Sequence, residues 1–304
     1  MTQTLAWLEK PIIIDCEGDR LVAIITEPPA PHETGVAIIV GGPQYRAGSH
    51  RQFTLLARHL ATQGVASIRF DYRGMGDSEG EIRNFENVDA DIGAAIKTLI
   101  QNVPAVRSIA LWGLCDAASA ALYYAHTNPR VTDLILLNPW VHHEALAAKA
   151  RLKHYYLARL MQRSFWLKLL SGRISLSDSV GGLTKSVGLT AAGEKKNTAS
   201  GAPVDPRHGS AGYIERMLEG LKRYRGSVLF IFSGADLVAQ EFKTLARLDS
   251  RWGSACRSPK ISMETSDSAN HTFSNQAWRA QVEKWTAYQI QQQPTHPDNL
   301  ERTQ

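Results

Sequence analysis

The sequence predicts an α/β fold, a doubly wound and mainly parallel sheet with an inserted helical lid. Short continuous apolar runs, typical of strands buried on both faces, alternate with longer segments whose apolar residues recur at helical spacing. Repeated strand-helix-strand units need right-handed crossovers, which cover both faces of a parallel sheet. Residues 142–225 interrupt this alternation over a length that exceeds an ordinary connection. We therefore interpret this segment as an insertion.

The chain opens with a predicted antiparallel hairpin. Two β-branched runs, residues 12–16 and 21–26, flank Glu17, Gly18 and Asp19, which have the chemistry of a turn. The prolines after residue 27 then stop regular structure. The elements predicted next are a strand over 36–40, a helix with Ser49 as its candidate cap, a strand over 65–70, a helix through 88–99, a strand over 106–112, a helix from Cys115 and a strand over 131–137.

The alternation resumes after the insertion. A strand is predicted over residues 227–232, a weaker strand over 260–264, and a closing helix with Trp278, Val282 and Trp285 on its apolar face. The predicted division is a core of residues 1–141 and 226–292, a partly mobile cap or lid over 142–225, and a frayed tail over 293–304.

Length and composition exclude some classes of protein. A chain of 304 residues can bury one sizeable core, and its net charge of +5 is too diffuse to indicate a nucleic-acid partner. Three cysteines without paired spacing argue against a disulfide framework, so we expect a cytoplasmic protein. We also expect no secretory signal, and the apolar runs are shorter than the roughly 18 residues that cross a bilayer.

The strand over residues 106–112 leads into a tight turn between a strand and a helix. The turn has the pattern small-spacer-Cys-spacer-small, with Cys115 between Gly113 and Ala117. A nucleophile at such a turn projects from the backbone, and small neighbours leave room for the strained conformation. A cysteine after an apolar strand is more often a buried small hydrophobe. Its place at this junction nevertheless makes Cys115 the candidate nucleophile.

Two more polar side chains follow later predicted strands, Asp236 and His271. The carboxyl ends of parallel strands meet at one edge of the sheet, so both side chains are expected near Cys115. We predict that His271 accepts the thiol proton and later protonates a leaving group, while Asp236 orients the imidazole. Glu241 and Asp267 are the reserve acids.

The position of Cys115 also predicts its acidity. A helix amino terminus and a nearby imidazolium both favour a thiolate, so Cys115 is expected to be more acidic than free cysteine. The neighbouring charge of Asp116 would oppose this effect. Cys16 and Cys256 have no comparable setting and are predicted to be structural.

An oxyanion hole needs backbone donors, and the N–H of Asp116 is the natural first one. A second donor is expected from the loop after the strand over 36–40, where Pro43 has no N–H. The second donor would then be Gln44, which we favour, or Gly42. The alternative is that the glycines of this loop only permit a tight turn.

Three other motifs have structural interpretations. The glycine-rich loop at residues 71–78 lacks a phosphate-loop lysine and the dinucleotide spacing, so we assign it a structural role. His142, His143 and His154 do not complete a metal-ligand set, and no metal is expected. The basic, apolar stretch of the lid is expected to pack over a pocket, with weak peripheral contact with a membrane as the alternative.

The order nucleophile, acid, histidine, with an insertion before the acid, resembles the α/β-hydrolase superfamily over roughly residues 10–290. The runs at 41–50, 70–78 and 112–120 are similar to the exosortase A system-associated hydrolases, type 1 group. These are bacterial α/β-hydrolases encoded beside exosortase and exopolysaccharide genes. The resemblance implies a fold and a genomic setting, but no substrate. Dienelactone hydrolases resemble the chain only at the tight turn around Cys115, the nucleophile elbow of these folds.

The expected function is hydrolysis of an ester or thioester of a small-molecule acyl substrate through a covalent acyl-enzyme, without a cofactor. Two alternatives remain open. An acyltransferase would use the same intermediate with another nucleophile in place of water. A catalytically idle binding or scaffold module would explain why the common His-Gly-X form of the oxyanion loop is absent.

Overall fold

A computed structural model describes residues 7–42, 44–141 and 210–292, and one eight-stranded sheet runs through them in the order β1-β2-β4-β3-β5-β6-β7-β8. Strands β1 and β2 form the predicted antiparallel hairpin, in which Glu17 and Gly18 take the positive φ angles of the turn. From β4 to β8 all neighbours are parallel. The strands are β1 Leu8–Cys16, β2 Asp19–Glu27, β3 Thr34–Ile39, β4 Ser67–Phe70, β5 Ser108–Leu114, β6 Val131–Leu137, β7 Ser227–Ser233 and β8 Ile261–Ser266.

Every residue of β3 and β4 is buried, which requires cover on both faces of the sheet. Helix α1 packs against α7, while α2 and α4 pack against α3. These contacts confirm the predicted doubly wound fold. The helices are α1 Gln52–Thr62, α2 Asp89–Asn102, α3 Asp116–Tyr124, α4 Ser210–Arg223, α5 Leu237–Leu248, α6 Ser250–Cys256 and α7 Gln276–Gln291.

The insertion was predicted to extend to residue 225, and the structure describes its last part. Residues 210–223 form α4, which packs against α3 and belongs to the same unit as the sheet. The predictions made for residues 142–209, including the three histidines of the lid, lie outside the described residues. The tail predicted over 293–304 also lies outside them.

One local prediction was wrong, and one was confirmed in part. The side chain of Ser49 does not cap α1, because Ser49–Arg51 forms a 3-10 turn. The N–H of Gln52 donates to the backbone carbonyl of Ser49, and those of Phe53 and Thr54 donate to the carbonyl of Ala47. In α7, Val282 is buried as expected, but both tryptophans of the predicted face are only half-buried. The buried positions of α7 are Val282, Thr286, Ala287 and Ile290.

The glycine-rich loop after β4 is held by buried ion pairs, in agreement with its predicted structural role. The guanidinium of Arg73 contacts both carboxylate oxygens of Asp91 on α2, with an Nη2 to Oδ2 distance of 2.9 Å. The carboxylate of Asp71 is fully buried and accepts the N–H groups of Arg46, at 2.5 Å, and Asp77, at 3.1 Å. These bonds join the loops that follow β3 and β4 at the carboxyl edge of the sheet.

Candidate active site

Cys115 occupies the turn between β5 and α3 and has φ 64° and ψ −122°, a strained conformation for a residue with a side chain. Its N–H donates to the carbonyl of Leu137 at 2.8 Å, and its own carbonyl accepts the N–H of Trp140 at 3.2 Å. A Cβ at Gly113 would lie 2.6 Å from the carbonyl carbon of Ala117, so only glycine fits there. The turn therefore projects a partly exposed thiol at the carboxyl edge of the sheet.

Asp236 and His271 meet at the same edge. Asp236 follows β7 and caps α5, where its carboxylate accepts the N–H groups of Val238 at 3.3 Å and Ala239 at 3.2 Å. His271 follows β8, and its Nδ1 lies 2.8 Å from Oδ2 of Asp236. Because an ionised carboxylate only accepts hydrogen bonds, this contact places a proton on Nδ1 and leaves Nε2 to receive one.

The two reserve acids lie elsewhere on the same elements. Glu241 is buried within α5, and Asp267 is exposed just after β8. The carboxylate that contacts the imidazole of His271 is that of Asp236. Cys16 lies buried in β1, and Cys256 ends α6, where burial raises the pKa of its thiol to about 11. The catalytic roles of Cys115, Asp236 and His271 remain predictions at this point.

Two polar residues that the sequence did not single out hold the loop of His271. Asn138, directly after β6, is fully buried and donates from Nδ2 to the hydroxyl of Ser233 at 2.7 Å and to the carbonyl of His271 at 3.1 Å. Ser233, at the end of β7, donates from its hydroxyl to the carbonyl of Asn270 at 2.9 Å. The available signal was a polar residue at or just after the end of a buried strand, and Asp236 was predicted from the loop that follows the same strand as Ser233.

The thiol of Cys115 is less acidic than expected, which corrects the sequence-based prediction. Burial and the charges of Asp116 and Asp236 raise its pKa to about 12, although the N–H of Asp116 hydrogen bonds to the sulfur and opposes this shift. Desolvation disfavours the charged form of any group, and here two carboxylates add to it. At neutral pH the resting site therefore holds a thiol rather than a thiolate.

Of the two candidates for the second oxyanion donor, Gly42 is bonded to the carboxylate of Asp116. The N–H of Gly42 donates to Oδ2 of Asp116 at 2.8 Å, and the N–H of Ala117 donates to Oδ1 at 2.9 Å. Burial raises the pKa of Asp116, and these N–H groups oppose the shift. The side chain of Gln44 accepts the N–H of Ser49 at 3.1 Å. Pro43, between Gly42 and Gln44, lies outside the described residues, so the role of the Gln44 N–H stays a prediction.

The sheet order, the strained turn after β5 and the acid-histidine pair after β7 and β8 define an α/β hydrolase. Residues 36–275 match the family model described as Hydrolase_4, serine aminopeptidase, S33, and the chain belongs to that family. The family description specifies serine, whereas this chain has cysteine at the turn after β5.

Solved structures share this fold at low sequence identity. The esterase Pf2001 of Pyrococcus furiosus is 14% identical with a TM-score of 0.62, and the match covers 94% of this chain and 93% of that one. Est1E of Butyrivibrio proteoclasticus, solved with ferulic acid bound, is 15% identical with a TM-score of 0.61, over 92% of this chain and 99% of that one. At this identity the likeness shows the fold alone.

A sequence relative covers less of the chain. An uncharacterized protein of Rickettsia prowazekii (strain Madrid E) is 29% identical over 80 residues, which is 26% of this chain and 34% of that protein. The chain thus spans about a third of the relative's length. Among the described helices, none carries an apolar stretch long enough to cross a bilayer.

Proposed function

We propose that this protein is a thiol-dependent hydrolase that cleaves a carboxylic ester or thioester through an acyl-enzyme on Cys115. The observation that carries the proposal is the 2.8 Å contact between His271 and Asp236 at the edge where the strained turn presents Cys115. A nucleophile, a base and a group that orients the base are the parts that acyl transfer requires. The esterases that share the fold support the choice of ester chemistry.

In the acylation step the sulfur of Cys115 attacks the acyl carbon while Nε2 of His271 takes the thiol proton. The tetrahedral intermediate collapses, the bond to the leaving oxygen or sulfur breaks, and the imidazolium protonates that group. Water then attacks the thioester, with His271 as base, and the products are a carboxylic acid and the restored thiol. Asp236 keeps the proton on Nδ1 and stabilises the imidazolium in both half-reactions.

The raised pKa of Cys115 means that attack by its sulfur requires His271 as a base. A preformed thiolate needs no base at the moment of attack, but a thiol with a pKa of about 12 must lose its proton as the new bond forms. The histidine therefore activates Cys115 in the way that it activates the serine of a serine hydrolase, but the sulfur is a more polarizable nucleophile than a serine oxygen. We place the enzyme in an exosortase and exopolysaccharide setting on the sequence similarity of residues 41–50, 70–78 and 112–120, with a small acylated molecule as substrate.

The test is incubation with short p-nitrophenyl esters and thioesters, followed by peptide mass spectrometry. We expect an acyl adduct on Cys115, its absence in Cys115→Ala, and its retention in the matched control Cys256→Ala, which removes a half-buried thiol from the end of α6. Full esterase activity in a folded Cys115→Ala protein would overturn the proposal.

A catalytically idle module of the same fold is the second candidate. Two observations favour it: the N–H of Gly42 is bonded to Asp116, and the thiol pKa is raised. Under this alternative, no ester or thioester acylates Cys115 in the wild type or in any variant of Asp116. The acylation experiments therefore discriminate between the two candidates.

A further inference from the structure

The carboxylate of Asp116, directly after Cys115, accepts two backbone N–H groups. An acid in the first turn of a helix is ordinary capping, and the bond from the Ala117 N–H at 2.9 Å fits that role. The bond from the Gly42 N–H at 2.8 Å does not, because it joins residues 74 positions apart across two loops of the sheet edge. Helix capping alone thus leaves the second bond unexplained.

A nucleophile elbow, the tight turn that carries the nucleophile between a strand and a helix, offers two backbone N–H groups to an oxyanion. One is the N–H of the residue after the nucleophile, here Asp116, and it contacts both the sulfur of Cys115 and the Asp116 carboxylate. The other is expected from the loop after β3, and of its two candidates, Gln44 and Gly42, it is Gly42 whose N–H donates to the Asp116 carboxylate. A carboxylate oxygen carries partial negative charge and accepts the same donors as an oxyanion. The Asp116 carboxylate can therefore bind the donors that an oxyanion would need.

The surroundings are shaped around this side chain. A Cβ at Gly41 would lie 2.3 Å from Oδ1 of Asp116 and 2.7 Å from the carbonyl of Leu114, so glycine at this position leaves the carboxylate its space. Gly42 has φ 58°, the left-handed conformation that aims its N–H at Oδ2. The carboxylate also interacts electrostatically with His271 and with the buried hydroxyl of Tyr72.

We propose that the side chain of Asp116 occupies the oxyanion position of the resting site, so that only acyl groups able to displace this carboxylate react with Cys115. Asp116 is then a specificity-determining residue through its side chain, in addition to the backbone donor that it supplies. The inference rests on the proposed acyl-enzyme function. Removing the carboxylate should speed acylation, because both backbone donors become available to the substrate.

The experiment compares two reactions of the same thiol. Acylation by p-nitrophenyl acetate develops an oxyanion, whereas alkylation by iodoacetamide is a displacement at carbon that develops none. The ratio of the acylation to the alkylation rate constant therefore measures how well the oxyanion hole stabilises the transition state. Because both reactions use the same thiol, the effect of nearby charge on its pKa cancels in this ratio. The variants are Asp116→Asn, which keeps the shape, Asp116→Ala, which vacates the position, and the control Asp15→Asn, which removes an exposed carboxylate on β1.

We expect the acylation-to-alkylation ratio to rise at least tenfold in Asp116→Ala and less in Asp116→Asn, because removing a single donor elsewhere costs about 10²–10³ in rate. Added acetate should inhibit acylation of Asp116→Ala by refilling the vacated position, and should not inhibit the wild type. The control Asp15→Asn should keep the wild-type ratio.

The outcomes separate this inference from the function on which it rests. If Cys115 is acylated in all proteins at an unchanged ratio, the side chain of Asp116 does not block the hole, and the hydrolase proposal stands. If none of the folded proteins is acylated although each is alkylated, the hydrolase proposal fails, and the inference fails with it.

Discussion

The reactivity of Cys115 towards iodoacetamide should be low at neutral pH and should rise steeply as the pH is raised. Burial together with two carboxylate neighbours moves the thiol pKa from an ordinary 9.0 to about 12. Below both values the thiolate fraction is then about 1,000-fold smaller than that of an ordinary cysteine, since each pKa unit is a factor of ten.

A more basic thiolate is also a better nucleophile, which offsets part of this loss. With a Brønsted exponent near 0.45, three pKa units raise the intrinsic reactivity by about 20-fold. The net expectation is an alkylation rate constant about 50-fold below that of free cysteine at pH 7. The alkylation rate falls rather than rises, because only the thiolate reacts and the raised pKa lowers the thiolate fraction.

The assay is peptide mass spectrometry of iodoacetamide adducts between pH 6 and 9.5 with glutathione as the external reference. The logarithm of the Cys115 rate should rise by about one for each pH unit across this range, without a plateau, because the pKa lies above it. Cys256, with a pKa of about 11, provides an internal comparison. A plateau below pH 8, or a rate above that of glutathione at pH 7, would refute the electrostatic reasoning.

Three further outcomes are expected. Asp236→Asn should lower kcat by about 10³–10⁴ with little change in KM, since the imidazole loses the partner that holds its tautomer, and a loss below tenfold in steady-state ester hydrolysis would contradict this. Asn138→Asp and Ser233→Ala should lower kcat about tenfold and alter its pH profile, whereas Ser108→Ala, which removes a hydroxyl bonded to Thr34 at 2.9 Å, should do neither. Arg73→Met should lower the free energy of unfolding by about 3–5 kcal/mol in urea titrations because the carboxylate of Asp91 would stay buried without its partner, and a loss under 1 kcal/mol would contradict that estimate.

Much of the sheet could be predicted because each buried strand is a local signal. A run of β-branched and apolar residues needs no distant partner to identify it, and the strand predicted over 131–137 coincides with β6. The start of α1 could not be located in the same way. The N–H groups of its first turn bond to the backbone carbonyls of Ser49 and Ala47 rather than to the Ser49 side chain, and a backbone acceptor has no sequence signature.

In the candidate site, too, the residues with a local sequence signal could be predicted and those that depend on long-range contacts could not. The chain order of Cys115, Asp236 and His271 is legible in sequence because each follows a predicted strand, and parallel strands end at one edge. The supports of the site are long-range contacts. Asn138 bonds to Ser233 and to the carbonyl of His271 across 95 and 133 positions, and no local pattern encodes such pairs.

The error in the predicted acidity of Cys115 has a physical origin. The N–H at the helix terminus lowers the thiol pKa and the charge of Asp116 raises it, both in the directions that the sequence predicts. What the sequence could not supply was burial, the largest contribution to the raised pKa. Desolvation depends on everything packed around the sulfur, so it appears only once the chain is folded.

The raised thiol pKa and the bond between Gly42 and Asp116 have one cause in common. The Asp116 carboxylate opposes negative charge on the sulfur of Cys115, and it also accepts a donor that would stabilise negative charge on a substrate. A substrate that displaces this carboxylate removes the contribution of Asp116 to the raised thiol pKa and frees the Gly42 N–H in one movement, while the larger contribution of burial remains. Reactivity towards acyl groups would then depend on how well the substrate fits the space beside Gly41 and Gly42. Under the proposed mechanism, the resting thiol is protected from adventitious chemistry until such a substrate is bound.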